Sequence, residues 1–257
     1  MTIPSTQQHL FDPVAKAEES ARIVCQGERR KYHRFRPARF YGGIATADCV
    51  GCCLGCAFCW SWHQVFHPQD YGRFYTPQEV ADTLVRIARK HGFDQVRISG
   101  NEPTICRAHL LRVIAAIPSD LLFILETNGI LIGHDASYAG ELAAFPNLYV
   151  RVSLKGTNEA EFSRLTGATP DGFRLQLQAI DNLWRAGVQV QPAVMASFSP
   201  PENVAALRRR LASVAPPMAE IEIEELVLYG DVAERLRELG IEYRRAYAPQ
   251  RVPPEQA

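Results

Sequence analysis

Five of the seven cysteines in this 257-residue chain fall within one stretch, Asp48-Cys49-Val50-Gly51-Cys52-Cys53-Leu54-Gly55-Cys56-Ala57-Phe58-Cys59-Trp60. Thiolates this close in sequence can reach one metal centre without closing a long chain loop. Cys52, Cys56 and Cys59 have the spacing C-x3-C-x2-C, which supplies three ligands. A four-iron cluster held by three thiolates keeps one iron open to a small molecule. Cys49, Cys53 and Cys56 repeat the spacing, so a second register competes. Only the first places an aromatic residue, Phe58, just before its last cysteine.

The C-x3-C-x2-C loop with Phe58 resembles the signature of the radical S-adenosylmethionine (SAM) superfamily. The resemblance implies a [4Fe-4S] cluster on Cys52, Cys56 and Cys59, with SAM on the open iron. It also implies reductive cleavage of SAM to methionine and a 5'-deoxyadenosyl radical. Zinc offers a different reading of the same loop, because His63 and His67 would complete a four-ligand site in a noncatalytic interaction protein. A disulfide framework is not expected in a chain long enough to build a core. Cys25, Cys53 and Cys106 therefore read as isolated core or pocket residues.

The composition, 47% hydrophobic and 22% charged, is that of a globular chain. No apolar run is long enough to span a bilayer and no charged leader precedes an apolar segment, so a cytoplasmic protein without membrane contact is expected. Lys and Arg number 28 against 28 Asp and Glu, which gives no global pull toward nucleic acid. Arg29-Arg30-Lys31-Tyr32-His33-Arg34-Phe35-Arg36-Pro37-Ala38-Arg39 is a local exception. Its basic and aromatic residues suit RNA. The favoured reading is an N-terminal arm with Tyr32, Phe35 and Phe40 packed and the arginines solvated or neutralising a bound cofactor.

Periodicity predicts a β/α alternation. A helix is expected over 13–24 and a first strand over 41–47, ending at the cysteine loop. Thr76-Pro77-Gln78-Glu79 is a capping box opening a helix that Gly92 ends. Further strands are expected over 94–99, 121–127, 147–154, 189–195, 221–228 and 241–245. Helices are expected over 107–117, 172–186, 202–214 and from Asp231. Ser199-Pro200-Pro201-Glu202 reads as the cap of the 202–214 helix. About six repeats suit an α/β fold with a partial parallel (β/α)6 barrel, which resembles the radical SAM core; a doubly wound sheet and a complete barrel are the alternatives. Residues 1–40 form the arm, 41–248 one core domain and 249–257 a loose tail.

Parallel α/β proteins bind ligands at the ends of strands, and three strand ends carry signals. Gly100-Asn101-Glu102-Pro103 resembles the superfamily's Gly-Gly-Glu-Pro segment lining the methionine amino group, with Asn101 in place of the second glycine. Asn tolerates an unusual backbone angle but leaves less room. Glu126-Thr127-Asn128-Gly129 and Ser153-Leu154-Lys155 resemble the strand ends of the glycyl-radical-enzyme activating branch, as does Glu161-Phe162-Ser163-Arg164-Leu165-Thr166-Gly167-Ala168. This resemblance implies that Glu102, Glu126 and Thr127 contact the SAM amine or ribose, and that Lys155 contacts its carboxylate. Ser153 replaces a family aspartate, so that branch's cation site is not carried over. The implied partners are an electron donor such as flavodoxin or ferredoxin and a glycyl-radical protein. Modification of RNA, a peptide or a small molecule is the alternative.

Overall fold

The computed structural model describes residues 10–253. The expectations for the first residues of the arm and the last of the tail lie outside them. In chain order the elements are α1 (Pro13–Val24), β1 (Cys25–Gln26), β2 (Arg29–Ala38), β3 (Ile44–Cys49), α2 (Trp62–Phe66), β4 (Arg73–Tyr75), α3 (Pro77–His91), β5 (Gln95–Gly100), α4 (Arg107–Ala116) and β6 (Leu122–Thr127). They continue with α5 (Ile130–His134), α6 (Ala136–Leu142), β7 (Leu148–Leu154), α7 (Glu159–Thr166), α8 (Asp171–Arg185), β8 (Gln189–Met195), α9 (Pro201–Ala212), β9 (Glu222–Glu224), β10 (Leu226–Val227), α10 (Val232–Glu238) and β11 (Ala246–Tyr247).

Six strands, β3-β5-β6-β7-β8-β9, lie side by side in chain order, and every neighbouring pair among them is parallel. This is the expected α/β arrangement of a partial barrel, here an open sheet extended at one edge by antiparallel β2. Parallel neighbours need crossover connections, and the helices between them supply these. The capping box forms as expected: Thr76 N donates to Glu79 at 2.7 Å and Glu79 N to the Thr76 hydroxyl at 3.3 Å. Gly92 closes α3 at φ 68°.

Side chains alternate across the strands. Val96, Ile98, Phe123, Leu125, Val150 and Val152 face the helices, in one core with Leu84, Val113, Ile180 and Leu183. Their neighbours Thr46, Asp48, Arg97, Glu126, Arg151 and Ser153 point to the opposite, inner face of the sheet.

Several elements differ from the sequence expectation. The first expected strand starts later, because Phe40–Gly42 is a 3-10 turn with Tyr41 at φ 56°. Residues 29–38 are β2, with Tyr32 buried against the ring of His109 and Phe35 stacked on Tyr32. The 221–228 stretch is divided into β9 and β10, and the strand expected over 241–245 lies instead at Ala246–Tyr247, paired with β10. Ser199 does not cap α9. The N-cap position falls on Pro200 instead, and the Ser199 hydroxyl donates to Glu161 at 2.7 Å.

Candidate active site at the strand ends

The cysteine loop leaves β3 and is pinned along its backbone. Gly55 N donates to Thr166 O and Ala57 N to Leu165 O, at the last turn of α7. A side chain at Gly55 would meet Thr166 O at 3.2 Å. From the far end of the chain, Arg235 donates Nε to Ala57 O at 2.8 Å and Nη2 to Cys59 O at 2.6 Å, its guanidinium stacked on Trp62. The Glu161–Ala168 run, singled out for its resemblance, therefore braces the loop.

Cys49, Cys53 and Cys56 are buried and Cys52 and Cys59 half-buried, among few compensating groups. Burial pushes the Cys59 thiol up to about 11 and raises Cys56 further. Cys52 is held low, chiefly because Cys53 hydrogen-bonds to it. Cys53 is in turn buried, with Asn128 Nδ2 3.2 Å from its sulfur. Cys49 belongs to β3 and turns toward the helix-packed face, beside the buried Arg30, with its thiol raised to about 11 by burial. A metal bound here would displace the thiol protons that burial otherwise keeps on Cys56 and Cys59.

The other strand ends converge here. Gly100 adopts φ 94°, and a side chain on it would lie 2.9 Å from Cys49 N, so glycine is required. Asn101 needs no unusual backbone angle; its Oδ1 accepts from Gly51 N at 2.9 Å, tying this loop to the cysteine loop. Glu102 is wholly buried. It accepts from Thr104 N, Thr104 Oγ1, Thr127 Oγ1 and Asn128 N, fastening the Pro103 loop to the end of β6. Glu102 and Thr127 are thus partners of each other.

Glu126 faces the inner side, apart from them. It accepts from Arg97 at 2.9 Å and from the Tyr41 hydroxyl at 2.8 Å. Burial alone would raise its carboxyl; Arg97, Arg151 and Tyr41 together bring it below its ordinary value. Lys155 Nζ donates to Ser153 Oγ at 2.5 Å, lies 6.0 Å from the Phe58 ring centroid, and acts electrostatically on Cys52, Cys56 and Cys59.

Several residues here were not singled out from sequence. Arg151 donates to Glu222 and Glu224, and Ser153 donates to Glu224. Glu224 is held at about 2: burial opposes ionisation, but Arg151, Lys155 and these hydrogen bonds outweigh it. Gln176 of α8 donates to Asn128 O and Ser153 O and accepts from Lys155 N, stitching two strand ends together. The signal for Arg97 and Arg151 is their alternation with apolar residues along successive strands.

Cys25 and Cys106 are joined in a disulfide with Cα atoms 6.0 Å apart, which corrects the expectation that they stand alone. Both belong to a small apolar cluster with Val24, Val50 and Tyr71. A cavity of about 630 Å3 borders the cysteine loop at Gly55 and Ala57 but is lined by none of the cysteines or strand-end residues. The candidate site is therefore placed at the strand ends. No helix among the described residues is long and apolar enough to cross a membrane.

The Radical SAM superfamily profile matches residues 48–210. A probable GTP 3',8-cyclase of Thermococcus kodakarensis is 31% identical over 152 residues, 58% of this chain and 45% of that protein. One of Methanococcus aeolicus is 28% identical over 142 residues, 54% and 44% respectively. The chain thus spans less than half the length of these curated relatives. Streptococcus suis SuiB bound to S-adenosylmethionine shares the fold with a TM-score of 0.57 and 17% identity, over 80% of this chain and 52% of that one.

Proposed function

This chain belongs to the radical SAM superfamily and is an enzyme of that class using a [4Fe-4S] cluster and SAM; on that premise we propose that it removes a hydrogen atom from a small polar substrate held against the inner face of the sheet. When bound, the reduced cluster and SAM supply a 5'-deoxyadenosyl radical as the hydrogen-abstracting agent. Cys52, Cys56 and Cys59 are the ligand set, with Asn128 fixing Cys53 beside them. Gly100, Asn101 and Pro103 form the wall that lets the methionine end approach the backbone, while Glu102 and Thr127 hold that wall in shape. Lys155 is the partner for the SAM carboxylate.

The observation that carries this reading is the position of Lys155. It sits at the end of β7 with its charge acting on all three proposed ligands, whereas Cys49 of the competing register faces the opposite side of β3. A cation there offsets charge on the thiolates and attracts a carboxylate. A small substrate is supported by the charged inner face and by the relatives' printed activity on GTP. Activation of a glycyl-radical protein is a second reading, carried by the Thr127-Asn128-Gly129 and Lys155 strand ends. An external one-electron donor of the flavodoxin or ferredoxin kind completes either scheme.

The test is anaerobic reconstitution with iron and sulfide, then electron paramagnetic resonance of the reduced protein with and without SAM. A four-iron signal that shifts on SAM addition, together with 5'-deoxyadenosine formation, is expected. A fully loaded, reducible cluster indifferent to SAM would overturn the reading.

A further inference from the structure

The cations of the inner face are not all matched alike. Arg97 is matched by Glu126, with its Nε on Thr46 and its guanidinium over the Phe40 ring. Arg151 is matched by two carboxylates, Glu222 and Glu224. Arg34 and Arg36, by contrast, share one: both turn their Nε to Asp48 Oδ2, and Arg36 Nη2 reaches Oδ1 at 3.5 Å. Asp48 is 2% exposed, while the arginine side chains are 43% and 27% exposed. Two guanidiniums on one carboxylate leave a net positive charge. Both Nη groups of Arg34 and Nη1 of Arg36 have no hydrogen-bond partner among the described residues.

The place of this pair is set by the chain itself. Asp48 directly precedes Cys49, and Trp60 directly follows Cys59; the Arg34 guanidinium lies 5.4 Å from the Trp60 ring while it bonds Asp48. Arg34 thereby touches both ends of the cysteine loop. Strand register puts Arg34 opposite Asp48 and Arg36 opposite Thr46, so both arginines share the inner face with Arg97.

We infer that Arg34 and Arg36 form the seat for an oxyanion of the substrate, a phosphate or a carboxylate, at the mouth of the inner face beside the cysteine loop. The inference deepens the reading of that face as the substrate side and rests on it. Arginine is suited to the task because its planar fork gives two parallel N–H bonds to such a group. Asp48 orients both forks and competes with the ligand for them. A protein whose Arg34 and Arg36 serve only to close the loop would use Asp48 in the same way, but would have no use for an added anion.

The sign of the Asp48 effect separates the two roles. The reconstituted enzyme is titrated calorimetrically with inorganic pyrophosphate and with succinate, at low and at moderate salt. Binding that weakens with salt is expected, and the tighter probe identifies phosphate or carboxylate as the group. Arg36→Gln is expected to weaken it about tenfold, the loss of a charge-assisted pair of bonds, with Arg36→Lys in between. Asp48→Asn is expected to tighten binding several-fold by freeing both forks. Binding of neither probe, or equal binding by Arg36→Gln, overturns the proposal, as does weakening by a folded, cluster-loaded Asp48→Asn. If Asp48→Asn does not load, the order wild type, Lys, Gln at position 36 decides alone. A single-stranded RNA that binds through Arg34 and Arg36 more tightly than either probe would overturn the small-substrate form. Formation of 5'-deoxyadenosine by the wild-type enzyme is scored separately: its presence without anion binding sinks only the oxyanion seat, and its absence sinks the underlying reading.

Discussion

Arg235 donates to the carbonyl of Cys59 at 2.6 Å across 176 positions of sequence, and to that of Ala57 at 2.8 Å. Its guanidinium is buried, stacked on Trp62 at 4.4 Å. Helix α10 therefore holds the backbone between Cys56 and Cys59, the second and third of the proposed ligands. Arg235→Met removes the charge and both bonds; Arg235→Lys keeps the charge but lacks the fork. With hydrogen bonds to charged groups contributing roughly 1.5–3 kcal/mol each, the Met variant should lose cluster many-fold faster than wild type, and Lys should fall between. Iron content followed over time under mild chelation reads this out. Equal retention by all three proteins would show that Arg235 only packs.

The choice of cysteine register gives a second expectation. Cys52→Ala, Cys56→Ala and Cys59→Ala should each abolish the four-iron signal. Cys49→Ala should leave it, since Cys49 faces Arg30 on the helix-packed side. Cys53→Ala removes a buried thiol held by Asn128, so partial loading with an unshifted spectrum is expected. Loss of the signal in Cys49→Ala with full loading in Cys59→Ala would transfer the cluster to the other register.

What was legible in the sequence follows from range. Thr76 and Glu79 announce α3 because the capping box closes within one turn. The parallel strands are legible because apolar residues recur along them, mostly at alternate positions, between turn signals. The cysteine loop is legible because its cysteines are neighbours in sequence. Arg235 on Ala57, Cys25 on Cys106 and Gln176 between Asn128 and Ser153 are not, because the partners meet only after the sheet has formed. Glu126 and Thr127 read together as SAM contacts from their shared place at a strand end, and the pleat sends the two to opposite faces, a separation that strand alternation already carries. Asn101 was read through its backbone; its contribution is a side-chain bond to Gly51, and Gly100 carries the unusual angle.

Close packing around the sheet yields a third prediction. A Cβ at Gly133 in α5 would lie 1.9 Å from Leu175 O of α8, where backbone cannot yield as a flexible side chain would. Gly133→Ala should therefore destabilise the protein by about 1–3 kcal/mol or more, despite alanine's better helix propensity. Gly140, with nothing within 4 Å of its Cβ position, is the control: Gly140→Ala in α6 should stabilise slightly. Denaturant unfolding of the pair measures both signs, and destabilisation by Gly140→Ala equal to that by Gly133→Ala would refute the packing argument.

The fourth prediction concerns acid. His109 is buried between two strands of interaction: its Nδ1 lies 2.8 Å from Glu28 O, which can only accept, so Nδ1 carries the proton and Nε2 accepts from the Tyr32 hydroxyl at 3.0 Å. Burial lowers its pKa from 6.5 to about 4, with the nearby Arg30 charge adding to the effect. A histidine kept neutral in the fold binds its proton more readily when unfolded. Its contribution is thus fully present above pH 6.5 and is lost as pH falls from there toward 4. By pH 5 the loss should be about 2 kcal/mol, using 1.36 kcal/mol per pKa unit. His109→Gln, which does not titrate, should be less stable than wild type at pH 7.5 but should lose less on going to pH 5. Unfolding curves of both proteins in the same cluster state give the difference, so other acid-sensitive groups cancel. Equal losses in the two proteins would mean that His109 titrates in the fold as it does in the unfolded chain, so that burial does not hold it neutral.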